Sequence, residues 1–151
     1  MLIAERLNKQ QLHEFEEMEE GFEAGEERPL IPEGAYGVQC VGFKTDIFCF
    51  GSFKIFLKFK IISPGEYKDT ELFMVIPQYK KVPPGSKYYK QWVIANGNVK
   101  PARKDRMPTA IFKGYSFEAV VKTAKPKYED KTAMPDCFNY SIIAYLKKRI
   151  T

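Results

Sequence analysis

Residues 53–62 read FKIFLKFKII, and this stretch narrows the architectures the chain can adopt. On an extended strand successive side chains alternate between faces. Phe53, Ile55, Leu57, Phe59 and Ile61 then form one side, an ordinary core face. Lys54, Phe56, Lys58, Lys60 and Ile62 form the other, with three lysines around one phenylalanine. Lysine is almost never fully buried unless paired, so that face must reach water. Phe56 is therefore either an exposed ring or one covered by a segment laid over it. The plain alternative is a solvated strand face whose lysines discourage edge-to-edge aggregation.

The flanking sequence repeats the strand signals. Residues 35–44 read as a first strand in which Gly37 and Gly42 allow bends or bulges. TDIFCFGS then leads by a hairpin into FKIFLKFKII. Pro64-Gly65 suits the centre of a turn over 63–69, and residues 70–76 form a third strand closed by Pro77. Ser86 can cap a short helix in which Tyr89, Trp92, Val93 and Asn96 share a face, Tyr89 and Trp92 plugging the barrel's end, with Gly97 ending it. Strands over 111–123 and 138–148 complete the chain, separated by a long polar loop. Three strands, a short helix and two further strands is the order of the OB-fold, a five-stranded Greek-key barrel. The expected fold is thus mostly β, an OB-fold-like barrel over 29–151, preceded by an acidic arm and linker over 1–28. In residues 2–24 the apolar positions Leu2, Ile3, Leu7, Leu12, Phe15, Met18 and Phe22 follow helical spacing.

Charge divides the chain. Residues 1–33 hold ten acids and three bases, leaving 21 bases against nine acids in 34–151, a net of +12. A basic body with an acidic arm points to polyanion partners. The lysine row has company. The loop at 98–108 carries Lys100, Arg103, Lys104 and Arg106, and the region between the last two strands carries Lys122, Lys125, Lys127 and Tyr128. In KYYKQW, Tyr88 and Lys90 are the residues left to point outward. Cations that neutralise phosphates and rings that stack on bases are what sequence-tolerant single-strand binding needs. Phe56, Tyr128 and Tyr88 are the candidate rings. Each cluster taken alone is also what a solvated loop looks like.

Signals for catalysis are poor, and no enzyme activity, cofactor or metal site is expected. The sole histidine, His13, lies in HEFEEME, which is not HExxH. No GxxxxGK[ST] or GxGxxG occurs. Asp69 and Glu71 could share a strand face, as a metal-dependent nuclease subunit would require, but carboxylates at a turn edge are usually solvated. Three cysteines without CxxC spacing fit a reducing cytosol better than a disulfide framework or zinc site. No apolar run approaches the ~18–20 residues that cross a bilayer, and the N-terminus has no signal-peptide pattern. The acidic arm admits three roles: competitor for the basic surface, docking site for a protein partner, or helix packed on its own domain.

GEYKDTELFMVI, GSKYYKQWVIANG, PARKDRM and KPKYEDKTAMPDCFNYSII together resemble a group of small phage and mobile-element proteins. The pattern is P-E-G-x-Y, then G-E-Y-K-[GD]-x-x-L-F, then G-S-K-Y-Y-K-x-W near P-x-R-x-D-R-M, and it covers most of residues 29–143. Asp69 stands where glycine is expected in G-E-Y-K-G. The resemblance implies a single-stranded DNA-binding OB-fold protein of phage or mobile-element replication or recombination, acting in the bacterial host cytoplasm. RNA is the alternative nucleic acid, and a homo-oligomer is compatible with such a fold. The rival function is a protein-interaction module, an inhibitor or adaptor acting on a nucleic-acid-processing machine.

Overall fold

The structure, a computed structural model, describes Gly25 and residues 27–151. The expected helix over 2–24 lies outside the described residues. Strands β1 (Gly34–Cys49), β2 (Ser52–Ile61), β3 (Glu71–Pro77), β4 (Ser116–Ala124) and β5 (Tyr140–Arg149) form one antiparallel sheet in the order β3-β2-β1-β4-β5. One α-helix among the described residues, α1 (Lys87–Ala95), connects β3 to β4. The mostly-β composition and the element order are as the sequence predicts.

The alternation in β2 is realised. Ile55, Leu57, Phe59 and Ile61 are buried, against Leu72, Met74 and Ile76 of β3 and Phe117 of β4, while the lysines face out. Phe53 departs from the expected core face and is 52% exposed. It lies at the far end of β2, where its neighbour is Phe48 on the opposite strand, edge-on at 5.3 Å.

β1 gives the sheet its shape. It pairs with β2 from Val38 to Cys49 but with β4 only from Gly34 to Gln39. Its register shifts between Cys40 and Gly42 and again between Lys44 and Ile47, where Asp46 takes a φ of 60°. Bulges bend a strand and increase its twist. The sheet coils until its edge strands β3 and β5 come within 8 Å between Cα atoms, without a shared ladder. Gly42 thus borders a bulge as expected. Gly37 serves a close approach instead: its N–H donates to Ser63 Oγ at 2.6 Å, and a Cβ would meet that oxygen at 3.0 Å. The 63–69 turn also forms, and Asp69 occupies a left-handed conformation, φ 70°. The position where the resemblance expects glycine is one whose backbone favours glycine, and aspartate is among the residues that tolerate it.

One strand boundary and one helix face differ from expectation. The strand expected over 111–123 begins only at Ser116, because Thr109–Phe112 is a 3₁₀ turn and Gly114 is left-handed, φ 88°. In α1 the buried face is Tyr88, Gln91, Trp92 and Ala95, one residue round from the expected stripe apart from Trp92. The reason is tertiary. Gln91 Oε1 accepts the Leu146 N–H at 2.5 Å and its Nε2 donates to Leu146 O at 3.4 Å, tying α1 to β5. Ser86 caps the helix as predicted, its Oγ accepting from Tyr89 N at 3.3 Å. Gly97 ends it at φ 73°, beside Arg149, which donates to Ala95 O at 3.2 Å and complements the negative end of the helix dipole.

Replacing Gln91 by alanine strands two buried backbone groups of Leu146. A loss of about 1–3 kcal/mol is expected, read as a lowered urea midpoint with unchanged slope.

Candidate nucleic-acid interface

Residues opposite one another in antiparallel ladders share a face. The outer face of β1–β2–β3 therefore reads in rows: Lys44–Phe56–Val75, Gly42–Lys58–Phe73, Gln39–Lys60–Glu71 and Ile47–Lys54–Pro77. Gly42 places no side chain beside Lys58. Phe56 and Phe73 meet edge-to-face with centroids 6.2 Å apart, and Phe73 is 43% exposed. Lys58 Nζ stands 5.9 Å from the centre of the Phe73 ring. Phe56 is thus half-buried among its neighbours on a face that reaches solvent.

A groove of about 910 Å³ lies over this face. Its floor includes Phe56, Phe73 and Val75, and Phe50 at the β1–β2 hairpin tip borders it. The other border is Tyr140 and Ile142 at the start of β5, with Arg28 and Pro29. This border is fixed by the chain's entry into the domain. Ser141 N donates to Pro29 O at 2.8 Å, and Ile31 N donates to Ser141 Oγ at 2.8 Å. The Arg28 guanidinium then lies over the Tyr140 ring at 4.3 Å. Lys87, the first residue of α1, also faces the groove, and its partial burial holds its pKa below the usual lysine value.

The lysine row is not a bare line of charge. Lys58 pairs with Glu71 at 2.9 Å, Lys60 with Asp69 at 3.9 Å, and Lys54 donates to Ser52 Oγ at 2.5 Å. Such exposed pairs contribute only about 0–1 kcal/mol each, so an incoming anion competes for these lysines at small cost. Asp69 and Glu71, the carboxylates a nuclease would need, each stand opposite a lysine.

The remaining expected site residues do not converge on the groove. Tyr88 is a correction: it is 4% exposed, its hydroxyl donates to Met107 O at 2.6 Å, and its ring packs edge-on against Phe112. The apolar surroundings between α1 and the 3₁₀ turn outcompete solvent for that ring. Lys100, Arg103, Lys104 and Arg106 are exposed on the α1–β4 loop, away from the groove lining, and Arg103 is bound to Asp105 at 3.0 Å. Lys122 lies on the outer face of β4 opposite Ile142, which does line the groove. Lys125, Lys127 and Tyr128 are exposed on the β4–β5 loop, whose roots Ala124 and Tyr140 border the groove while these three do not.

Among the groove residues that escaped the sequence reading are Phe73, Val75, Phe50 and Arg28. The first two were available from the period-two pattern of ELFMVI, which sends Phe73 and Val75 to the face opposite Leu72 and Met74. Phe50 is 96% exposed and left-handed at φ 50°, next to Gly51 at φ 80°. Two successive positive φ values make a tight hairpin turn of the kind that favours Asn-Gly. The ring is held there against its backbone preference, and at this exposure packing does not account for it.

Burial raises the Tyr88 pKa above its ordinary value, opposed in part by the hydrogen bond with Thr109. The neutral phenol is favoured in the fold, so this contribution is complete below the ordinary tyrosine pKa of about 10 and is lost as pH rises through the raised value. Wild-type stability should therefore fall more steeply above pH ~10 than that of Tyr88→Phe, measured by urea unfolding at stepped pH.

Comparisons with protein-family models, curated proteins and solved structures return no match.

Proposed function

We propose that the protein binds single-stranded nucleic acid, DNA in the first instance, with little sequence preference, through the β2–β3 groove of an OB-fold-like Greek-key barrel. The central position of β1, the apposition of β3 and β5, and the helix between β3 and β4 support that fold. In OB-folds the strand 2–3 face and the loops joining strands 1–2 and 4–5 take oligonucleotides. The groove here has that floor, with the β1–β2 tip and the roots of the β4–β5 loop beside it. The observation carrying the proposal is the Phe56–Phe73 pair, open to solvent and bordered by Lys58. Bases stack on the rings, Lys44, Lys54, Lys58, Lys60 and Arg28 meet phosphates, and Phe50 bears on the strand from the hairpin tip. No catalytic step is part of this function. The setting that goes with this reading is the one the resemblance implies, replication or recombination of a phage or mobile element.

A protein-interaction module is the second reading, favoured by the exposed apolar hairpin end of Phe48, Phe50 and Phe53. Fluorescence anisotropy with labelled oligo-dT separates the two. Salt-sensitive binding with a log–log slope of about −3.5 is expected if each of the five cations named above meets one phosphate. Phe73→Ala should weaken binding about 5- to 100-fold, the loss of one base–aromatic stack. An absence of binding at low salt would sink the nucleic-acid reading and leave the interaction module.

Glu71→Gln frees Lys58 from its carboxylate. It should tighten oligo-dT binding at low salt while changing stability by no more than about 0.5 kcal/mol.

A further inference from the structure

A second cavity, of about 780 Å³, opens where the β3–α1 loop meets the α1–β4 loop. Tyr79, Lys80 and Lys81 line it from the first loop, and Lys104 and Asp105 from the second. All three lysines are exposed, and none has an ion pair with another described residue. Asp105, the one carboxylate in the lining, is held by Arg103 at 3.0 Å. Gathering like charges without counter-ions costs self-repulsion and creates a positive potential that draws anions.

Both loops are anchored, so the cluster is held in place. Gln78 and Asp46 exchange two hydrogen bonds, Asp46 N to Gln78 Oε1 at 2.7 Å and Gln78 Nε2 to Asp46 Oδ1 at 2.6 Å. Gln78 N also donates to Phe53 O at 3.0 Å. On the other loop, Met107 O accepts from the Tyr88 hydroxyl and Pro108 O accepts from Trp92 Nε1 at 3.1 Å. Strand-end groups hold the first loop and the core residues Tyr88 and Trp92 hold the second, and none of these bonds uses the lysines the loops carry.

We propose that Lys80, Lys81 and Lys104, with the Tyr79 ring, form a second phosphate-binding site that receives the backbone of the single strand as it leaves the β2–β3 groove. The inference rests on the function proposed above. β3 connects the two places: Phe73 and Val75 lie on the groove floor, and Tyr79 follows Val75 by four residues. At ~3.3 Å per residue that span is at most about 13 Å. Tyr79 is 46% exposed and offers a stacking face beside the cations.

The test uses the full chain and its Lys80→Gln/Lys81→Gln/Lys104→Gln variant with labelled oligo-dT of about four and about fifteen nucleotides, lengths near the ends of the range one OB-fold covers. Circular dichroism confirms that the variant is folded. The short oligonucleotide should bind both proteins alike. The long one should lose about 10- to 100-fold in the variant at low salt, its salt slope shallower by about 2, as three lost phosphate contacts require. Unchanged affinity and slope for the long oligonucleotide would overturn the proposal. If the wild-type chain binds neither oligonucleotide, the groove function fails, and the strand fails as this site's ligand. Pyrophosphate titration followed by amide NMR then decides whether a phosphate site remains. Shifts at Tyr79, Lys80, Lys81 and Lys104 that vanish in the variant would retain it for a free phosphate ester, and no shifts would remove it.

Discussion

β1 pairs with β4 only as far as Gln39, bridges Lys113 at Cys40, and then continues against β2 to the hairpin tip. The surface chemistry follows from that release. Once free of β4, β1 crosses two bulges and the coiled sheet brings β3 beside β5. The same coil leaves the outer face of β2 and β3 uncovered by any described layer, so Phe56, Phe73 and Val75 form a floor rather than a second core. The hairpin carries Phe48, Phe50 and Phe53 past the end of β3, where the last rung is Lys54 with Pro77. One further bond, from Gln78 N to Phe53 O, follows that rung before the chain leaves β2 and the tip stands out.

The electrostatics of the face are moderated rather than simply positive. A body with net charge +12 could present a continuous cationic surface, yet Glu71 and Asp69 sit opposite two lysines of the central row. These exposed pairs offset part of the self-repulsion among the lysines. Cations with no carboxylate partner among the described residues include Lys44 and Lys54 on the face itself, Arg28 on the β5 side, and Lys80, Lys81 and Lys104 on the loops beyond β3. In the proposed function the central rings stack bases while these cations meet phosphates.

Much of this was legible in the residues. The strict alternation of FKIFLKFKII fixed which face of β2 is core and which is solvent. The turn chemistry of Pro64-Gly65, Ser86 and Gly97 marked element ends, because those backbone conformations and caps depend on one or two residues. Most of the errors share one physical origin. Tyr88, Phe53 and the buried face of α1 were misjudged where a distant partner decides the outcome. Met107 O draws in the Tyr88 hydroxyl, Leu146 rotates the helix through Gln91, and the end of β3 leaves Phe53 uncovered.

The convergence of the site belongs to the tertiary level for the same reason. Lys54, Phe56, Lys58 and Lys60 share a face because strand periodicity is a local property of the backbone. That Phe73, Phe50, Arg28 and Tyr140 meet them depends on ladder register, on where the bulges fall, and on how the chain enters beside Ser141. Lys100, Arg103, Lys104 and Arg106 are adjacent in sequence, yet Lys104 alone joins Lys80 and Lys81, which belong to another loop. The sequence by itself determined the β architecture, the core face and the sign of the surface charge, all set by short-range pattern and composition. Only the tertiary structure decided which charges and rings act together, because that depends on contacts between segments whose separation along the chain carries no local signal.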